Sequence, residues 1–195
     1  YGLTEDADIG IRLTEMGAKI QIVYDERHAT QEETPDTVDS FIKQRTRWMQ
    51  GFYEIFFKGD WRRLPMLKQK ITSIYILLNS LMQALTVIFL PLGLYIALTQ
   101  RIAVPIAMLS FVPIFILLIQ MMINLVGIRE FTHAYNKRLP LFFRFKMILW
   151  YYPFQLLLAL SAARAVRRYI RKQNAWEKTD HSNLHRQSAA AAHAK

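Results

Sequence analysis

Two long apolar stretches constrain this chain more than any other feature. Residues 71–98 and 102–126 contain no charged side chain, and only Thr99-Gln100-Arg101 separates them. A helix that crosses a bilayer needs roughly 20 consecutive apolar residues, so each stretch is long enough to cross. The sequence therefore predicts a tight helical hairpin in a membrane, and a lipid bilayer is the first partner that it implies.

The charge distribution agrees with a membrane location. The formal net charge is +10, and the Lys and Arg residues flank the apolar stretches, whereas most acidic residues precede Asp60. Basic residues that bracket apolar runs are typical of the cytoplasmic membrane face, so we expect no nucleic-acid partner. With a basic segment at 62–70, the hairpin tip should face outward and Arg129 should return to the cytoplasm. The chain has no Cys, which excludes disulfides and Cys-ligated metals.

A third apolar stretch, about 147–163, completes a predicted membrane region over 71–163. Basic residues lie at both of its ends, which conflicts with a simple crossing. It either crosses against the charge rule or forms a re-entrant or interfacial helix with both ends cytoplasmic, and we favour the second. Residues 164–195 should form a basic cytoplasmic tail that ends in disorder.

The polar start of the chain predicts a helix and then a strand. The opening has no initiator Met, so we expect a fragment of a larger protein whose active site is incomplete here. Thr4 suits an N-cap, acidic residues follow it, and Gly17 suits the C-terminal stop. The run KIQIVYD, residues 19–25, alternates like a strand. Residues 1–35 should therefore be the C-terminal end of an α/β domain.

A second helix should begin at Thr34-Pro35, a cap followed by proline in the first helical position. Its apolar stripe is aromatic and flanked by basic residues, which favours a helix lying in the membrane interface. Together with the basic stop WRRLPMLKQK it forms a predicted interfacial segment over 36–70.

Two groups of residues could carry chemistry. The first is Thr4-Glu5-Asp6, whose carboxylates alone would usually be helix-dipole partners. The second lies on the predicted interfacial helix, where Gln44, Arg47 and Trp48 fall at i, i+3 and i+4 and share one face. An amide, a guanidinium and an indole suit a sugar phosphate, although anchoring in lipid headgroups explains the last two equally well.

Taken together, TED, then QxxRW about 40 residues later, then membrane helices resemble the processive family-two glycosyltransferases. These are membrane synthases of polymers such as cellulose, hyaluronan and poly-N-acetylglucosamine. The resemblance covers residues 1 to about 130, and WEKTDH at 176–181 is similar to the ending of many bacterial members. It implies an α/β remnant of a nucleotide-sugar transferase domain of the GT-A type, followed by an interfacial helix and an α-helical transmembrane region.

The resemblance also implies roles. Asp6 would be the general base that activates an acceptor hydroxyl, with Thr4 and Glu5 shaping its turn. Gln44 and Arg47 would contact the donor diphosphate, and Trp48 would cap the acceptor glycan. The substrate- and acceptor-binding set is thus Glu5, Gln44, Arg47 and Trp48.

The expected activity is inverting transfer from a nucleotide-sugar donor to a growing glycan, coupled to export, by an integral protein of the bacterial inner membrane whose catalytic part is cytoplasmic. The alternatives are single addition to a lipid acceptor or a non-catalytic membrane-anchored module.

The resemblance further implies a Mg²⁺ or Mn²⁺ ion on the diphosphate. Asp6-Ala7-Asp8 spells DxD, but the family's metal motif lies upstream of TED, so the ligands should precede this chain and no residue here is assigned to the metal. A pair formed by His181 and His185 lacks a third ligand and is not interpreted as a metal site.

Polar residues also recur along the two spans. They are Tyr75, Asn79, Gln83, Gln120 and Asn124. The favoured interpretation is hydrogen bonding between helices. The alternative is a path for the departing polysaccharide.

Overall fold

The described part of the chain is helical. The computed structural model describes residues 3–21, 23, 28, 34–100, 112–173, 175 and 177. Its elements are α1 (Glu5–Glu15), α2 (Val38–Lys58), a 3-10 turn (Asp60–Arg63), α3 (Leu67–Thr99), α4 (Val112–Ala134) and α5 (Leu141–Ile170). By contacts the chain divides into two compact units, Tyr1–Leu78 with Arg164–Lys195, and Asn79–Ala163.

Helix α1 begins and ends where the sequence predicts. Thr4 occupies the N-cap position, and Gly17 adopts the left-handed φ of +80° just beyond the helix. The backbone N–H groups of Gly17 and Ala18 donate to the carbonyl oxygens of Thr14 and Leu13 at 3.0 and 2.9 Å, which closes the last turn. The predicted positions of both helix ends are confirmed, although Thr4 makes no side-chain capping bond.

The apolar stripe of α1 is not covered by the described residues. Ile9, Leu13 and Met16 remain 51%, 41% and 83% exposed, and α1 has no buried residue.

The predicted start of the second helix is wrong by three residues. Helix α2 begins at Val38, with Thr37 rather than Thr34 as its N-cap. The Thr37 hydroxyl accepts a hydrogen bond from the Ser40 N–H at 3.1 Å and so satisfies one of the free donors of the first turn. The helix ends at Gly59, whose φ is +84°.

The predicted strand is not confirmed. The structure describes Lys19–Gln21 and Val23 of the run at 19–25 and assigns none of them to a strand, and the other residues of the run lie outside the described set. Across the described ranges no residue is in a strand, so the α/β class itself is not confirmed either.

Helix α3 is the described helix that is long and apolar enough to cross a membrane. It contains Pro91, and its predicted span at 71–98 falls inside its bounds. The predicted second span begins at 102, but residues 101–111 lie outside the described set and α4 is described from Val112. The predicted third stretch, about 147–163, lies inside the longer helix α5, which contains Pro153. The topology after Arg129 stays a prediction.

Candidate functional site

The QxxRW residues lie on helix α2, as the spacing predicts. Gln44, Arg47 and Trp48 are all within Val38–Lys58, and each side chain is half-buried. Residues three and four positions apart on a helix share a face, so Gly51 extends the same face by one further turn. The QxxRW residues therefore lie on one continuous helical face, and their side chains are partly accessible.

The start of TED packs directly on this face. A Cβ atom added to Gly51 would lie 2.4 Å from Thr4 Oγ1, 2.8 Å from Thr4 Cγ2 and 3.0 Å from the Thr4 backbone nitrogen. Only a residue without a side chain permits that approach, because one of the close atoms is backbone and cannot rotate away. The structure thus brings the turn that holds Glu5 and Asp6 against the helix that holds Arg47 and Trp48.

The Thr4 side chain packs and does not cap. It is 6% exposed, and its hydroxyl oxygen has no hydrogen-bond partner among the described residues. Although Thr4 stands at the N-cap position, its side chain makes no capping bond to α1. The contact with Gly51 therefore explains its burial better than capping does.

Asp6 is exposed at the first turn of α1. Its Oδ1 accepts a hydrogen bond from the Ala7 N–H at 2.9 Å, and its carboxylate forms no salt bridge with any residue in the described ranges. Glu5 beside it is also exposed. An accessible carboxylate without a cationic partner can take a proton from a bound hydroxyl once that hydroxyl is within hydrogen-bond reach.

Asp8, the second acid of the DxD look-alike, has a different environment. Its side chain is 15% exposed, Lys58 donates to its Oδ1 at 2.7 Å, and Arg12 pairs with its Oδ2. The hydrogen bond from Lys58, followed by that from Arg12, holds the pKa of Asp8 below its ordinary value against the opposing effect of burial. Lys58 also contacts Asp60 at 2.9 Å, so this cluster ties α1 to the end of α2.

Asp8 is accordingly committed to a structural ion pair. Within the part of the chain that the structure describes, no three His, Asp or Glu residues are grouped as metal ligands would be. His181 and His185 lie outside that part.

Arg45 is a site residue that the sequence reasoning missed. Its guanidinium carbon lies 4.5 Å from the ring centroid of Trp48 and 5.3 Å from that of Phe41. Burial lowers the pKa of Arg45, and its Nε atom is buried without a hydrogen-bond partner in the described residues. One face of Trp48 is therefore covered by a cation. The i, i+3 spacing to Trp48 and the i, i−4 spacing to Phe41 are the signals that could have identified it.

The polar residues of the spans are partly explained by helix pairing. In the second unit, the Gln83 amide nitrogen donates to Gln155 Oε1, and Gln155 is 2% exposed. The Tyr152 hydroxyl donates to the Val87 carbonyl at 3.2 Å. For Gln83 the interhelical interpretation is supported, and its partner Gln155 was not foreseen. Tyr75, in the first unit, is 64% exposed.

Comparison with known proteins places these features in a family. The model of glycosyl transferase family group 2 matches residues 2–160. A poly-β-1,6-N-acetyl-D-glucosamine synthase of Staphylococcus epidermidis is 30% identical over 90 residues, which is 46% of this chain and 21% of that protein. The chain thus matches about a fifth of that relative's length, and no solved structure gives a significant match. Since the family match spans most of the chain and includes both TED and QxxRW, this chain belongs to glycosyl transferase family group 2.

Proposed function

We propose that the chain is part of a membrane-bound inverting glycosyltransferase that transfers a sugar from a nucleotide-sugar donor to a growing polysaccharide. The family assignment supports glycosyl transfer. The name of the staphylococcal relative supports a polymer that contains N-acetylglucosamine, and export of that polymer is part of the proposal.

The observation that carries the proposal is the contact between Thr4 and Gly51. It joins two motifs that lie about 40 residues apart in the sequence and gives them one surface. A base and a donor-binding patch must act on the same reacting atoms, since a misplacement of about 1 Å can cost on the order of 100-fold in rate.

In the proposed reaction, Asp6 acts on the acceptor. Its carboxylate accepts the proton of an acceptor hydroxyl while that oxygen forms a bond to the anomeric carbon of the donor. The bond from the anomeric carbon to the diphosphate oxygen breaks on the opposite side, and the nucleoside diphosphate leaves with the electron pair. Displacement from the opposite side inverts the anomeric centre. Aligning a weak nucleophile with a base contributes about 10²–10⁴-fold.

The QxxRW residues would bind the two substrates. Arg47 can form paired hydrogen bonds with phosphate oxygens, and Gln44 can bond to donor hydroxyls. Trp48 would stack on the acceptor sugar with the ring face that Arg45 does not cover, since Arg45 lies 4.5 Å from its centroid.

The proposal includes a divalent cation on the leaving diphosphate, and the residues that would hold this cation lie outside the described set. Asp8 does not fit as its ligand, because Lys58 and Arg12 already pair with both carboxylate oxygens. When bound, Mg²⁺ or Mn²⁺ would neutralise charge on the departing diphosphate.

The membrane location is supported by the exposed surface of the long helices. Large apolar side chains are exposed along them, for example Phe89 at 53%, Leu98 at 83% and Leu149 at 76%. Such surface favours lipid over water. We propose that the catalytic part is cytoplasmic at the bacterial inner membrane.

The test is sugar transfer by membranes that contain the full-length protein. Radiolabelled UDP-N-acetylglucosamine and UDP-glucose are supplied without added acceptor, and the products are separated by size. We expect wild type to form polymer from one of these donors and Asp6→Asn to lose transfer by about 100-fold or more while its membrane insertion is unchanged.

Retained transfer by Asp6→Asn would remove Asp6 from the mechanism. A product that carries a single sugar on lipid would contradict the processive proposal, and no transfer from either donor would contradict the enzyme proposal. Asp39→Asn is the matched control, because Asp39 is an exposed acid on the first turn of α2 that pairs with Lys43 and lies about three helical turns before the Thr4 contact at Gly51.

A further inference from the structure

A buried polar network joins the QxxRW helix to the end of α5. Gln50 follows Arg47 by three residues on α2 and is 0% exposed. Its amide nitrogen donates to Gln173 O at 3.0 Å and to Glu54 Oε1 at 3.2 Å, and its amide oxygen accepts from Arg168 Nε at 2.9 Å. The bond to Glu54 lies within α2, but the bonds to Gln173 and Arg168 leave the helix and oppose its rotation about its own axis, because turning it would break both.

Arg168 is the centre of this network. Its side chain is 12% exposed, and besides Gln50 it donates to Glu177 Oε1 at 2.6 Å, to Gln173 O at 3.0 Å and to Ala175 O at 2.9 Å. These bonds use three different nitrogens of one planar group. A lysine at this position would keep the charge but could not reach the same acceptors together.

Glu177 in turn fixes Arg168. It accepts two hydrogen bonds from Arg164, at 2.7 and 2.8 Å, in addition to the bond from Arg168. The Arg164 contact, together with the charges of Arg168 and Lys43, holds the pKa of Glu177 below its ordinary value. Lys43 immediately precedes Gln44, so the negative charge of Glu177 is also felt on α2 beside the QxxRW residues.

We propose that Arg168, held by Glu177, is a positioning residue for sugar transfer, and that it acts through Gln50 to hold α2 so that Arg47 and Trp48 meet the donor and the acceptor. This inference rests on the proposed function. It adds to the QxxRW motif a set of residues about 120 positions later in the chain.

The test compares variants of the full-length enzyme, with the donor that wild type uses. Arg168→Lys and Glu177→Gln are the principal variants because they keep the size of the side chain. Arg167→Ala is the matched control, since Arg167 is an exposed arginine on the same turn of α5. Kinetics are measured on monodisperse, detergent-purified protein, so that each rate refers to folded enzyme.

We expect Arg168→Lys to raise KM for the nucleotide sugar and to lower kcat, with kcat/KM falling on the order of tenfold or more. Glu177→Gln should act in the same direction but less strongly, and Arg167→Ala should match wild type. Because Arg168 is proposed to act through Gln50, the double variant Gln50→Leu/Arg168→Lys should be no worse than the more damaging single variant.

A purely structural role would lower the yield of folded enzyme while KM and kcat per folded molecule stayed at the wild-type values. That result in both principal variants would overturn the inference, as would additive losses in the double variant. The proposed function fails separately, through retained transfer by Asp6→Asn or through absence of transfer by wild type. If Arg168→Lys does not fold, the kinetics of Glu177→Gln decide alone: raised KM with lowered kcat supports the inference, and wild-type values overturn it.

Discussion

The close contact at Gly51 makes a sharp prediction for Gly51→Ala. Alanine is favoured over glycine in a helix interior by about 1 kcal/mol. At position 51, however, the new methyl group would lie 2.4 Å from Thr4 Oγ1 and 3.0 Å from the Thr4 backbone nitrogen. Overpacking of this kind costs about 1–3 kcal/mol. The helix-propensity gain is thus offset or exceeded.

Gly10→Ala is the matched control. Gly10 lies inside α1, close in sequence to the same acidic residues, and a Cβ atom added there meets nothing within 4 Å. It should show the propensity gain without the clash. Thermal unfolding of the full-length protein in detergent should therefore place Gly51→Ala below Gly10→Ala, by a free-energy difference of about 1–3 kcal/mol.

The expected effect on activity follows from how far Thr4 must move to relieve the clash in Gly51→Ala. Moving the nearest Thr4 atom from 2.4 Å to 3.4 Å, where ordinary van der Waals contact begins, displaces the TED turn from α2 by about 1 Å. A displacement of that size costs on the order of 100-fold in rate when it separates reacting groups. We expect a comparable loss of sugar transfer in Gly51→Ala and none in Gly10→Ala.

A second substitution tests the cause. Thr4→Ala removes the two side-chain atoms at 2.4 and 2.8 Å and leaves the backbone nitrogen at 3.0 Å. The double variant Thr4→Ala/Gly51→Ala should therefore recover part of the stability and part of the transfer. Wild-type activity and stability in Gly51→Ala alone would refute the claim that this contact positions the TED turn.

Two further predictions concern the same unit of the chain. Thr4→Val should leave the melting temperature unchanged or raise it, because the buried hydroxyl has no partner among the described residues and its replacement by a methyl group removes an unsatisfied group; a lower melting temperature would contradict this. Lys58→Met should lower the melting temperature at neutral pH, because Lys58 pairs with Asp8 and Asp60, whereas the exposed Lys68→Met should not. The pKa of Asp8 is lowered in the fold, so the stability that its charge contributes is complete above the ordinary carboxyl pKa of about 3.9 and is lost as pH falls through the lowered value. The difference in melting temperature between Lys58→Met and wild type should therefore close in acid. A difference that stays constant with pH would refute the ion-pair explanation.

The features that sequence reasoning predicted correctly are local ones. Gly17 follows the last periodic residue of α1 and takes a positive φ there, and one turn of chain is enough to recognise this. The spacing of Gln44, Arg47 and Trp48 likewise needs only the helical period. The predicted start of α2 is also a local feature, but it is wrong because Thr34 and Thr37 are both plausible caps. Only the hydrogen bond from the Ser40 N–H identifies Thr37 as the cap.

The contacts that give the site its shape could not be predicted, because they join distant parts of the chain. Gln50 and Arg168 are 118 residues apart, and neither the helical period nor a short motif relates them. The sequence shows that Gly51 lies beside QxxRW. It does not show that Thr4 packs where a side chain at position 51 would be. The ion pair of Asp8 in the DxD look-alike could not be predicted for the same reason, since its partner Lys58 lies 50 residues later.

Neighbouring residues of α2 have different partners. Trp48 is covered on one face by Arg45, Gln50 bonds to Arg168, and Gly51 contacts Thr4. The contacts from Arg168 and Thr4 come from outside α2 and meet it at different residues, so together they oppose both rotation and sliding of the helix. Under the roles proposed for Arg47 and Trp48, α2 requires such restraint, because each additional free motion lowers the fraction of time in which all groups are aligned. Under the proposed function, the functional unit extends from QxxRW through Gln50 and Gly51, and substitutions at these two buried positions should impair transfer.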